Sequence, residues 1–274
     1  MNQKFGSFCL TLFLLAGASD VLAERLEQAS ISASPWEFEL FLDGWIPKAP
    51  VTIVIEDITV EGAENLNTIL DSLDLMAMLR FRAHKGPLGF FFEPIYYKGT
   101  YDRVTVTHNP TGEMTDKAIL KENVWRINYG ISYEVGRWDI GKGENSRVVT
   151  LEPYVGFRWL HDNLTVEVEP EALPVEITKH ATITTNAPII GLRSHLQLKD
   201  DWGFLLEGDY GGFNVDHMDK TYLMAGYFDY KFKWKKFTSR AYVGYRFLHL
   251  DYEKDVTAIT VDIQGPIVGI SLIF

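Results

Sequence analysis

Residues 154–161 read YVGFRWLH and residues 242–249 read YVGYRFLH. Six of the eight positions are identical, and the other two exchange one aromatic for another. Strict alternation of this kind is the signature of a strand whose two faces meet different surroundings. Val155, Phe157 and Trp159 share one face, while Tyr154, Gly156 and Arg158 share the other. Val243, Tyr245 and Phe247 repeat the first set, and Tyr242, Gly244 and Arg246 the second. A soluble sheet puts its apolar face in a core and its polar face in water. An arginine locked between large rings, twice, suits neither surface well.

The same period runs through the chain. In VWRINYGISYEV (124–135), Trp125, Ile127, Tyr129, Ile131 and Tyr133 alternate with Arg126, Asn128, Gly130, Ser132 and Glu134. Ten such segments are expected, at about 35–46, 73–84, 88–100, 121–136, 148–163, 184–199, 202–213, 220–234, 237–250 and 259–274. Mostly short links such as KGP and KK alternate with longer polar ones. That is the rhythm of a chain crossing a membrane back and forth from an inner start. VTIVIEDITV (51–60) and LTVEVE (164–169) read as hairpins rising above the membrane, which leaves eight or twelve strands possible. NLNTILDS (65–72) is expected to form a short helix.

Composition narrows the class. The chain has 274 residues, a formal net charge of −11 and an aromatic content of 14%. An acidic balance argues against nucleic acid held on a basic face. Lys4, the apolar run FGSFCLTLFLLAGA and the small residues Val21 and Ala23 read as a signal peptide, cleaved after Ala23. Residues 1–23 are then the signal and 24–274 one exported domain. The single cysteine, Cys9, leaves with the signal, so no disulfide is expected. No later run is long and apolar enough for a transmembrane helix.

Orientation follows from cost. An arginine facing lipid at the bilayer centre costs roughly 2–4 kcal/mol. Five or more would cancel the whole stability of a domain, about 5–15 kcal/mol. The expected fold is therefore an all-β, antiparallel, up-and-down transmembrane barrel with rings outward and a lumenal charge network of Glu93, Arg126, Glu152, Arg158, Arg193, Glu207 and Arg246. At about ten strands the lumen is filled by side chains. A charge-paired plug is the expected reading, and a narrow selectivity filter is its alternative. Pro94, Pro153, Pro188 and Pro266 all fall inside expected strands, where proline removes a ladder donor. The duplication also extends beyond the opening phrase. LRFRAHKGPLGFFFEPIYY (79–97) parallels LRSHLQLKDDWGFLLEGDY (192–210).

The segments ILDSLDLMAMLRFRAHKGPLGFFFEPIYY (69–97), APIIGLRSHLQLKDDWGFLLEGDYGGFNV (187–215), YVGYRFLHLDYE (242–253) and DIQGPIVGISLIF (262–274) together resemble a widespread, porin-like Gram-negative outer-membrane β-barrel family. GDYGGF, YRFLHLDY and the GP of the last strand are the most specific pieces. The ending SLIF departs from that family's more usual arginine before the final Phe. The resemblance implies an outer-membrane location, with lipids, lipopolysaccharide and the barrel-assembly machinery as partners. Phe274 would be the terminal assembly signal. It brings no catalytic residues and no cofactor.

Other chemistry is thinner. His161 beside Asp162, and His249 near Asp251, stand at the outer ends of equivalent strands, where a His–carboxylate pair could act as a general base. No serine follows a recognisable nucleophile pattern, so rim hydrogen bonding is the expected role and a rim hydrolase the alternative. DHMD (216–219) lacks the ligand spacing of a calcium loop, and no metal is expected. GDYGGF lacks the lysine of a phosphate loop. The functional expectation is an integral outer-membrane barrel with a narrow or closed, charge-lined lumen, acting in envelope integrity or surface binding, with a narrow channel for small solutes as the alternative. A soluble periplasmic β protein is the remaining alternative.

Overall fold

The computed structural model describes residues 34–47, 51–56, 58–62, 73–108, 115–140, 147–169, 177–199 and 201–274. The expected signal peptide and the helix at 65–72 lie outside them. Thirteen strands follow in chain order: β1 (Trp36–Trp45), β2 (Val51–Ile55), β3 (Ile58–Gly62), β4 (Leu73–Lys85), β5 (Leu88–His108), β6 (Thr115–Tyr133), β7 (Gly136–Ile140), β8 (Arg147–Glu169), β9 (Ile177–Lys199), β10 (Trp202–Val215), β11 (Met218–Trp234), β12 (Phe237–Lys254) and β13 (Thr257–Ile273).

Ten of them close a ring. β1 pairs with β4, and the antiparallel path runs on through β5, β6, β8, β9, β10, β11, β12 and β13 back to β1. Closure removes every free edge, which is what a spanning sheet needs in a solvent that offers no hydrogen bonds. β2 and β3 form a hairpin wedged between the outer ends of β13 and β5, as the alternation at 51–60 predicts. β7 continues β6 past a break and pairs with the base of β8, a short extension that the sequence does not suggest.

The burial pattern is inside-out. Among the largest fully buried side chains are Arg80, Arg158 and Arg246, while Phe157, Ile190, Met224, Phe228 and Val243 stand exposed on the outer wall. Trp36, Trp202, Trp234 and Phe274 line one end of that apolar belt. Tyr96 and Trp125, in ring contact, mark the other, with Trp159 beside them. Outward positions beyond Trp125 turn polar, with Asn123, Asn163, Thr182 and Thr184. The belt thus ends at the rings, and β5, β6, β8 and β9 carry the barrel well above it.

All four strand prolines sit where a ladder breaks. Pro94 lies in the interruption between the Met78–Ile95 and Phe81–Phe92 pairs. Pro153 falls between the β6 pairing, which ends at Tyr154, and the β7 pairing, which starts at Leu151. Pro188 lies one residue past the last β9–β10 pair, Ile189–Gly211. Pro266 lies one past the last β1–β13 pair, Trp45–Ile267. The missing N–H is placed where the adjoining strand has stopped asking for it.

Candidate functional site: the lumenal ion network

Inward parity carries charges from nine of the ten ring strands onto one axis, and β13 adds the Ser271 hydroxyl. The interior centres on Glu207. Its Oε2 accepts from Arg82 Nη2 at 3.1 Å and from Arg193 Nε at 3.3 Å, and its Oε1 accepts from the Tyr227 hydroxyl at 3.1 Å. Arg193 also reaches Glu152 at 3.4 Å and Glu93 at 3.6 Å. Its guanidinium lies 4.3 Å from the Tyr154 ring and 4.7 Å from that of Phe91. Glu93 is shared further, with Arg82 at 3.8 Å and Arg246 at 3.9 Å.

Two tighter pairs flank this hub. Arg158 Nη2 donates to both carboxylate oxygens of Asp209 at 2.9 Å, its Nε donates to Asn128 Oδ1 at 3.0 Å, and its Nη1 donates to Thr221. Arg80 grips Asp43 in bidentate fashion, Nε to Oδ2 at 2.6 Å and Nη2 to Oδ1 at 3.1 Å. Towards the end marked by Phe274, Arg240 donates to Glu39 at 2.9 Å and Ser271 to the same oxygen at 2.6 Å. Bidentate, charge-assisted bonds are the strongest the side chains can make. They suit an interior whose charges must be paired or pay heavily for burial.

All the lumenal residues singled out from sequence project inward and are buried except Glu152, which is half-buried. Asp43 joins them. It shares the parity of Glu39, so the alternation of β1 contains it. Tyr154 and Tyr242 lie inward with the arginines of their strands, as the alternation predicts, but the inward Phe41, Trp45, Phe91 and Tyr227 correct the expectation that rings face outward. Arg80 lies 4.5 Å from the Phe41 ring and 5.2 Å from that of Tyr227. A guanidinium packs its faces on rings while its edge serves carboxylates, so aromatics belong in this lumen as well as on the wall. Beside the hub, a cavity of about 10 Å³ among Phe91, Glu93, Asn128, Tyr154, Arg193, Glu207 and Asp209 has room for about one water.

Above the apolar belt a second group occupies the interior. Tyr97 donates to Glu122 Oε2 at 3.2 Å, and Asp162 is buried nearby with Oδ1 unpaired. Burial raises Glu122 to about 7. Burial, and then the charge of Glu122, raise Asp162 well above its ordinary value.

The histidine dyads do not form as the sequence suggests. Asp162 points inward and His161 outward, where its Nδ1 meets Thr184 at 2.8 Å and its Nε2 meets Asn163 at 3.1 Å. His249 pairs with Asp262 at 2.7 Å rather than with Asp251, and stacks on Tyr222 at 4.6 Å. Asp251 instead serves Lys220 and Thr260. Nε2 of His249 has no hydrogen-bond partner among the described residues, so no hydroxyl is set on it. In DHMD, Asp216 accepts from the Asn186 backbone N–H at 2.7 Å and His217 packs on Tyr252.

Comparison places the architecture. No protein-family model and no curated protein sequence matches the chain. Among solved structures, the outer membrane protease OmpT from Escherichia coli is similar at a TM-score of 0.56 and 10% identity, covering 88% of this chain and 98% of that one. The translocator domain of autotransporter NalP from Neisseria meningitidis matches at 0.37 and 9%, covering 94% and 96%. The Pseudomonas putida toluene transporter TodX matches at 0.24 and 9%, covering 89% and 93%. The last two scores are too low to argue from. Closed ring, apolar wall, charged axis and the OmpT likeness together show an outer-membrane β-barrel fold of ten strands.

Proposed function

We propose that this chain is an integral outer-membrane protein whose membrane section is a sealed, ion-paired plug, and that it acts in envelope integrity or in binding at the cell surface. The observation that carries this reading is the hub around Glu207, Glu93 and Arg193, which crosses the axis and leaves beside it a cavity of only about one water. A conducting filter lines an open path with charge of one sign or with spaced sites. Here each arginine of the hub shares carboxylates contributed by other strands. The residues free to act are therefore on the extended outer walls.

The test is conductance. Full-length protein refolded into planar bilayers and verified by heat-modifiable gel migration should show no ohmic steps. Arg193→Ala together with Glu207→Ala should open a measurable path. Steady conductance of the unaltered protein, reduced by Arg158 or Arg246 substitution, would replace this reading with the narrow channel.

A further inference from the structure

The duplicated strands make their arginines comparable, and the two are not served alike. Arg158 has Asp209, Asn128 and Thr221 as acceptors. In the second copy, Tyr242 bonds Asp43 as Tyr154 bonds Asp209, which makes Asp43 the counterpart acid. Asp43, however, is held by Arg80. The cross-strand neighbour of Arg158 is Asn128, whereas Arg246 faces Ala225, which offers no side-chain acceptor. Arg246 is fully buried, and its nearest carboxylate oxygen is 3.9 Å away on Glu93, already shared by Arg82 and Arg193.

Arg126 is still more isolated. It is buried, and among the described residues it makes no ion pair. The charges acting on it are led by those of Arg246 and Arg158. The two guanidiniums lie near one ring: Arg246 is 5.6 Å and Arg126 5.8 Å from the Trp45 centroid. Nε and Nη2 of Arg126, all three nitrogens of Arg246 and Nε1 of Trp45 have no protein acceptor. Arg80 and Arg82 leave one nitrogen each, but both hold a carboxylate through another.

We propose that Trp45, Arg126 and Arg246 form a binding site for a small inorganic anion of halide size, which supplies the acceptor that their buried N–H groups lack. Unserved N–H donors on two buried cations, both near an indole whose own N–H is unserved, are the chemistry of anion capture. The neighbouring hub, which Arg246 reaches through Glu93 at 3.9 Å, is packed around a cavity of about one water, so an anion held at this depth is small. Carboxyls farther out supply less counter-charge than their number suggests, because burial raises Glu122 to about 7 and Asp162 well above its ordinary value.

Bromide is the probe. Full-length protein in zwitterionic micelles is titrated with sodium bromide against sodium gluconate at fixed ionic strength, and the temperature at which the folded gel band is lost is recorded. Bromide should raise it saturably by several degrees, and gluconate should not. Arg126→Gln and Arg246→Gln should each weaken the apparent bromide affinity at least tenfold. Trp45→Phe keeps the ring and should weaken it less. Arg240→Gln, remote and paired with Glu39, should leave it unchanged. Crystals soaked in bromide should give an anomalous peak between the two guanidiniums. A response equal in bromide and gluconate, or no anomalous peak there, would overturn the site. Variants that fail to give the folded band are replaced by Arg126→Lys, which keeps charge but loses the planar donors. The conductance test stands apart from all of these, because a sealed barrel holds or lacks the anion equally well.

Discussion

Arg158 and Asp209 show what a single residue contributes in this interior. Arg158 is fully buried and makes bonds to three side chains, so removing one partner leaves the other charge stranded. Breaking such a pair costs about 3–5 kcal/mol. Asp209→Ala should therefore lower the unfolding free energy, measured by urea titration in vesicles, by that amount, and the double change Arg158→Met with Asp209→Leu should recover much of it. Glu122 gives the opposite case, a carboxyl that prefers to be neutral. Its folded value of about 7 lies above the ordinary 4.5. Its contribution is fully present below about pH 4.5 and is lost as pH rises through about 7. The loss is roughly 3 kcal/mol at about 1.4 kcal/mol for each unit. Unfolding temperatures recorded between pH 4 and 8 should fall across that window, and Glu122→Gln should flatten the fall.

At the scale of strands, the glycines of the repeated phrase do the positioning. Gly156 is paired with Gly130, and a Cβ on Gly156 would lie 2.1 Å from the Tyr129 carbonyl oxygen and 3.0 Å from the Phe91 ring. A Cβ on Gly244 would lie 2.2 Å from the Gly226 oxygen and 2.8 Å from the Tyr227 ring. In both copies the missing side chain lets an inward ring settle against the wall, and that ring then packs beneath an arginine. Since the nearest atoms are backbone, the strain cannot be relieved by a rotamer change. Gly156→Ala and Gly244→Ala should each cost about 1–3 kcal/mol by the same urea assay. The elements themselves were largely legible. Ten alternating segments became the ten ring strands, and 51–60 became the β2–β3 hairpin. What escaped was their length: β5 runs to His108 and β9 begins at Ile177. Above the belt the outward residues turn polar, so the apolar half of the alternation fades while the backbone ladder continues.

For the whole molecule, the decisive property is which solvent each face meets. Val243 stands 55% exposed in the middle of the apolar wall, one position from the lumenal Tyr242. Val243→Arg should cost about 2–4 kcal/mol in vesicles. Asn163→Arg, on the same wall above the aromatic ring, should be nearly neutral. Equal costs at the two sites would mean that the wall does not sit in hydrocarbon at the depth given by Trp125 and Trp159.

The amino-acid order alone determined the faces. Period-two alternation and the price of a lipid-exposed guanidinium leave one orientation, so the barrel, its polarity and its inward charges could be read from residues such as Arg158 and Arg246. Pairing was decided only by closure. That Asp43 goes to Arg80, that His249 meets Asp262, and that Arg126 and Arg246 share Trp45 without a carboxylate of their own all depend on shear and on which strands come to face each other across the axis. Alternation fixes the side on which a residue lies; register and curvature fix whom it meets.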